Sequence, residues 1–126
     1  DIETGRLRRA VMNALSAENV DVMGWQKVPV PAQPVFQRKS GYGKGSPWDE
    51  HSSKVNYSLD QYPNTFKVIE NSFTVRRLVP PNDFELIDHY AKAMAKVFAQ
   101  IDHVVELFDK MGGYIPLEER LASISS

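Results

Sequence analysis

Phe73-Thr74-Val75-Arg76-Arg77-Leu78-Val79-Pro80-Pro81-Asn82-Asp83 changes periodicity within a few residues, and its reading decides the fold. Phe73, Val75 and Arg77 alternate with Thr74, Arg76 and Leu78, the two-residue period of a β-strand. Pro80-Pro81 ends that strand. Asn82 or Asp83 then caps a long helix running to about Met111, with apolar residues such as Tyr90, Met94, Val97, Ile101 and Phe108 at helical spacing. Gly112-Gly113 supplies the C-terminal stop.

Upstream, residues 4–17 read as a helix with Thr4 as N-cap and Leu7, Ala10, Val11 and Leu15 on one stripe. Arg6, Arg8 and Arg9 fall largely off that stripe, as on a solvated face. A short strand follows between Val20 and Trp25. Pro63 opens a short helix through Phe66, Val68 and Ile69, at a position where its missing N–H costs nothing. Pro116 to Leu121 adds one turn. Two strands make an unstable sheet, so a third is expected at Lys54–Leu59, where Val55, Tyr57 and Leu59 alternate. The fold class is α+β: a small antiparallel sheet of about three strands packed against helices, in a single domain over residues 1–126.

Between the first strand and the short helix lies a long irregular segment, with a loop at 37–53 at its centre. Pro29-Val30-Pro31-Ala32-Gln33-Pro34-Val35-Phe36 is expected to be extended, because proline fixes φ and disfavours helix in the preceding residue. Ser40-Gly41-Tyr42-Gly43-Lys44-Gly45-Ser46-Pro47-Trp48 places glycine at alternate positions. About 25 residues without regular structure is unusual in a small domain unless they serve a function or are disordered. Phe36, Tyr42, Trp48 and Tyr57 are residues a solvated linker does not need.

Bulk properties are those of an ordinary globular chain: 126 residues, 42% hydrophobic, 25% charged, net charge −1. There is no basic excess for nucleic acid. No apolar run reaches the roughly 20 residues of a membrane span. The absence of cysteine removes disulfides, thiolate metal sites and thiol nucleophiles, and fits a cytoplasmic location. The first residues lack both an initiator methionine and the pattern of a signal peptide, as expected of a processed chain or of part of a longer one.

Self-sufficient chemistry is hard to find. His89 and His103, fourteen positions apart on one predicted helix, stand about 21 Å apart and share no metal. Asp83, Glu85, Asp88, Asp102 and Glu106 read as a polar helix face. The glycine loop has neither the Walker nor the dinucleotide spacing. It either presents Tyr42 and Lys44 to a ligand or partner, or is plain surface. Adjacent strand residues point to opposite faces, so either Arg76 or Arg77 meets a pocket or carboxylate, or one is exposed and the other lies at the sheet edge.

Several phrases together resemble a known family. Leu7…Ala14-Leu15-Ser16-Ala17-Glu18-Asn19-Val20, Pro29 to Phe36, Tyr42 to Trp48, Tyr62-Pro63-Asn64, Phe73 to Pro81 and the final long helix resemble, in order, the C-terminal domain of DegT/StrS-type aminotransferases. The resemblance covers roughly residues 5–108. Pro31 stands where the family has histidine, and Asn19 where it commonly has glycine.

The resemblance implies the small C-terminal domain of a fold type I, pyridoxal phosphate-dependent enzyme. Such an enzyme transfers an amino group to a keto-sugar, nucleotide-sugar or cyclitol in sugar biosynthesis. It implies that the cofactor is bound mainly by a large N-terminal domain carrying the Schiff-base lysine, with a homodimer as the working unit. It implies no catalytic residue in this chain, no metal, and substrate contacts from Gln33, Tyr42 and Lys44, with Arg76 and Arg77 behind them. The residues without the resemblance leave a second reading open, a stand-alone binding module that grips its partner with the aromatic loop.

Overall fold

The structure is a computed structural model that describes residues 3–43, 45–48, 54–81, 83–116 and 119–122. It is mixed α+β and mostly helical. The elements are α1 (Thr4–Ala17), β1 (Val22–Met23), a 3-10 turn (Val30–Ala32), α2 (Pro34–Gln37), a second 3-10 turn (Leu59–Gln61), α3 (Pro63–Asn71), β2 (Thr74–Val75), α4 (Phe84–Ala99) and α5 (Ile101–Lys110). Residues 119–122 are also helical. The chain divides into two compact units, residues 1–25 with 70–116, and residues 26–69 with 117–126.

The first unit has a helical core. Val11 and Leu15 of α1 pack with Val20, and with Tyr90, Ala93 and Val97 of α4; all six are buried. Ala10 packs with Val105 and Phe108 of α5 in a second buried cluster. The predicted single long helix is interrupted at Gln100 (φ −122°, ψ 31°). No proline or glycine marks the break. It aims Tyr90, Ala93 and Val97 at one part of α1 and Val105 and Phe108 at another, so tertiary packing overrides a continuous period. Asp83 caps α4 as expected, its Oδ1 accepting from the Leu86 N–H at 3.2 Å. At α1 the N-cap is Glu3, and Thr4 is the first helical residue.

Asn19 shows why α1 ends where it does. Its φ is +62°. The Val20 N–H donates to the Leu15 carbonyl at 2.9 Å and the Asn19 N–H to Ser16 at 3.0 Å. These are the two bonds of a Schellman cap, with the apolar contact between Leu15 and Val20 that accompanies it. Asparagine tolerates the left-handed region that glycine otherwise fills. Asn19→Ala is expected to lower stability by about 1 kcal/mol and Asn19→Gly to leave it equal or higher, read by urea denaturation. The His89 Nε2–H donates to the Glu18 carbonyl at 2.8 Å, and Lys96 pairs with the Glu18 carboxylate at 2.6 Å. His89 therefore satisfies a helix terminus.

The sheet is smaller than expected. Antiparallel β1 and β2 pair Val22 with Val75 and Met23 with Thr74. The third strand anticipated at 54–59 does not form, and among the described residues the sheet has two strands. Local side chains take that segment's backbone groups. The Tyr57 carbonyl accepts from Gln37 Nε2 at 2.9 Å, and the Ser58 N–H donates to Asn56 Oδ1 at 3.0 Å.

Arginine placement in α1 also differs from the solvated face expected. Arg8 is buried at 9% exposure and donates from Nη1 to the Ser72 carbonyl at 3.2 Å. Arg6 is half-exposed and grips Asp109, with Nε 2.7 Å from Oδ1. That hydrogen bond holds the Asp109 carboxyl below the usual carboxylate range and raises the Arg6 guanidinium. Because the Asp109 value is depressed on folding, its contribution is present above the ordinary aspartate range and fades as pH falls through it.

The second unit is built around aromatic rings. Phe36 meets Trp48 edge-on at 6.1 Å between centroids and Tyr57 at 5.4 Å. Trp48 Nε1 donates to the Tyr57 hydroxyl at 3.0 Å. The proline segment is not extended throughout. Val30–Ala32 form a 3-10 turn and Pro34–Gln37 one α-turn, with prolines in first-turn positions where φ near −65° fits a helix as well as a strand. Gln33, before Pro34, keeps the extended conformation (ψ 144°). The turn closes with Lys39 at φ +48° and the Ser40 N–H on the Val35 carbonyl at 3.0 Å, a second Schellman cap.

Candidate functional site

The glycine loop is a tight turn. Tyr42 and Ser46 exchange both backbone hydrogen bonds, Tyr42 N–H to Ser46 O at 2.9 Å and Ser46 N–H to Tyr42 O at 3.1 Å. Gly43 and Gly45 take φ of +58° and +102°. A methyl on Gly41 would run into the Ser46 carbonyl and lie 2.7 Å from the Gly45 carbonyl carbon. Each glycine is therefore required by the turn. The turn leads straight into Trp48, which is 9% exposed. Gly41→Ala is expected to open the Tyr42–Ser46 bridge at a cost of about 1–3 kcal/mol. Red-shifted tryptophan emission checks it, since Trp25 is already 75% exposed and Trp48 alone can become newly wet.

This arrangement presents Tyr42 to solvent at 90% exposure, on a turn fixed by its own hydrogen bonds. Gln33 also lies in the second unit. Its carbonyl accepts from the Phe36 and Gln37 N–H groups at the start of α2, and its side chain is exposed. Lys44 lies outside the described residues. Near the turn, Phe36, Gln37, Lys39 and residues 54–58 line a shallow recess of about 320 Å³.

Arg76 and Arg77 belong to the first unit, and their geometry corrects the expectation of opposite faces. β2 ends at Val75, and Arg77 has φ +64°. The backbone reversal brings both guanidiniums onto one carboxylate. Arg76 places Nε at 2.9 Å and Nη2 at 2.7 Å from Asp21 Oδ1, and Arg77 places Nε at 2.9 Å from Oδ2. Asp21 is itself fixed. Its N–H donates to the hydroxyl of the buried Tyr90 at 3.0 Å, and its carbonyl accepts from the Arg76 N–H at 2.8 Å. A left-handed residue with a Cβ costs roughly 1–2 kcal/mol, whereas an exposed ion pair returns about 0–1 kcal/mol. The sequence signal for this convergence was slight: a two-arginine step just before a proline pair.

The described lysines do not fit a covalently held pyridoxal phosphate. Lys27, Lys54, Lys67, Lys92, Lys96 and Lys110 are exposed and Lys39 is half-buried, and a Schiff-base lysine is activated in a desolvated or cation-rich pocket. Among the described residues no three His, Asp or Glu side chains are placed to hold a metal ion. No helix among them is long and apolar enough to cross a membrane. Comparison with protein-family models, curated protein sequences and solved structures returned no match.

Proposed function

We propose that this chain is the small C-terminal domain of a pyridoxal phosphate-dependent aminotransferase of the DegT/StrS type, acting on a keto-sugar, nucleotide-sugar or cyclitol. The cofactor and its lysine reside on a large N-terminal domain, and the working unit is a homodimer in the cytoplasm. This chain supplies substrate contacts and no catalytic group.

The observation that carries the reading is the display of Tyr42. An aromatic side chain stands exposed on a turn locked by reciprocal backbone bonds and anchored through buried Trp48. A backbone held this way is preorganised for a ligand, so binding has only the side chain left to order. Exposed Gln33 follows the same logic, being fixed at the start of a capped helical turn. The order of elements supports the reading too: helix, strand, proline segment, helix, strand, helix. So does Asn19, which stands in a left-handed position that suits the family's glycine.

The test uses the whole reading frame that contains this sequence. Gln33, Tyr42 and Lys44 are replaced together by alanine, and amino transfer to a keto-sugar is followed. A rise in KM or a fall in kcat/KM of at least about tenfold is expected, a loss of about 1.4 kcal/mol of transition-state binding. Unchanged kinetics would overturn the assignment of these contacts.

A further inference from the structure

We propose that the recess lined by α2, Lys39 and residues 54–58 binds a small phosphate monoester, with Lys39 and Lys54 holding the phosphate. The site lies within the second unit and does not rest on the aminotransfer reading.

The first reason is charge. The lining of the recess carries two lysines and no acidic residue. Neither Lys39 nor Lys54 enters an ion pair with another described residue. Two ammonium groups at one recess suit a group of nearly two negative charges. A phosphate monoester carries about −1.5 to −2 at neutral pH. Lysine binds phosphate as a point charge. Asn56 adds a neutral donor. Its Oδ1 accepts from the Ser58 N–H at 3.0 Å, which fixes the amide and leaves the Nδ2 hydrogens to donate.

The second is the backbone. Lys39 is the left-handed residue of the cap that closes α2, with φ +48°. Backbone groups alone make that cap: the Lys39 N–H donates to the Phe36 carbonyl at 3.2 Å and the Ser40 N–H to the Val35 carbonyl at 3.0 Å. Glycine or asparagine closes such a cap at lower cost. The turn has no use for the ammonium, yet it sets Lys39, half-buried, at the recess. Non-glycine residues held in this region gather at ligand sites.

The third is a formed frame. Gln37 Nε2 donates to the Pro31 carbonyl at 2.6 Å and to the Tyr57 carbonyl at 2.9 Å, which ties α2 to the segment at 54–58. The Tyr57 ring meets Phe36 at 5.4 Å between centroids, and its hydroxyl accepts from Trp48 Nε1. Walls fixed in this way leave little to order on binding. The volume of about 320 Å³ stands at the lower end of small-molecule sites, and Phe36 and Val55 offer carbon surface to the stem of an ester.

The test is titration of the 126-residue chain with phenyl phosphate and, separately, with inorganic phosphate, followed by amide chemical shifts. Saturable binding of phenyl phosphate is expected, with shifts at Lys39, Lys54 and Asn56. Inorganic phosphate lacks the stem and is expected to bind at least about threefold more weakly. Lys39→Asn keeps the left-handed turn while removing the charge, so it is expected to fold at least as stably. Lys54→Gln alters an exposed side chain and is expected to weaken binding at least about threefold on its own, and the two together at least about tenfold. Lys67→Gln, on α3 and outside the recess, is expected to leave affinity unchanged. The proposal is overturned if phenyl phosphate does not bind saturably, or if inorganic phosphate binds as tightly. It is also overturned if the folded double variant keeps the affinity of the parent chain, or if Lys67→Gln loses as much as Lys54→Gln. None of these outcomes touches the aminotransfer reading, which is tested on the whole reading frame.

Discussion

Leu15→Ala is expected to destabilise the chain by about 3–5 kcal/mol, read as a lower urea midpoint at constant slope. Leu15 is fully buried and packs at the centre of the cluster formed with Val11, Val20, Tyr90, Ala93 and Val97. It also supplies the carbonyl that receives the Val20 N–H in the helix cap and the apolar half of that cap's contact. Truncation leaves a void that α1 cannot close, because α4 and α5 hold it along its length. A chain of this size has roughly 5–15 kcal/mol in hand, so the variant stands near the limit of folding at physiological temperature.

Glu70→Ala is the second large effect, expected at about 3–5 kcal/mol. The Glu70 side chain is 14% exposed, and its Oε1 lies 3.9 Å from Nη2 of the buried Arg8. Removing the carboxylate takes an opposite charge away from a guanidinium held in a dry site. The double replacement Arg8→Met with Glu70→Met is expected to be milder than Glu70→Ala alone, since apolar residues of similar volume often substitute for a buried pair at little cost. Gly5 belongs to the same arrangement. A methyl there would fall on the Glu70 carboxylate and lie 2.8 Å from the Tyr114 hydroxyl. A glycine inside a helix is thus explained by what packs over it.

Much of the architecture was legible in the sequence. The bounds of α1 and the start of α3 follow from periodicity and proline placement, and the two paired strands fall where alternation puts them. Three features were not legible, each for a physical reason. The break at Gln100 has no local marker, because it is imposed by two packing surfaces on α1. The segment at 54–59 has a strand's alternation, but its backbone groups are taken by Gln37 and Asn56 and Tyr57 joins the Phe36–Trp48 rings. The proline run reads as extended, yet the same φ serves first-turn helical positions, and local hydrogen bonds decide between them.

The candidate site was legible in part. The aromatic content of the loop marked it as ordered, and the structure gives that order a cause in the ring cluster and the Tyr42–Ser46 bridge. The convergence of Arg76 and Arg77 on Asp21 was hidden. Strand geometry separates neighbouring side chains, and only the left-handed backbone at Arg77 brings them together.

The central claim is that this chain lends substrate contacts to a pyridoxal phosphate enzyme whose cofactor lysine lies on another domain. The most direct measurement compares two proteins titrated with pyridoxal phosphate, the 126-residue chain and the product of the complete reading frame. No saturable, stoichiometric absorbance change is expected in the short chain. In the complete product a one-to-one change is expected, lost on replacing a single lysine outside residues 1–126, together with amino transfer to a keto-sugar. A stoichiometric adduct on the short chain, or a complete product that neither binds the cofactor nor transfers an amino group, would contradict it.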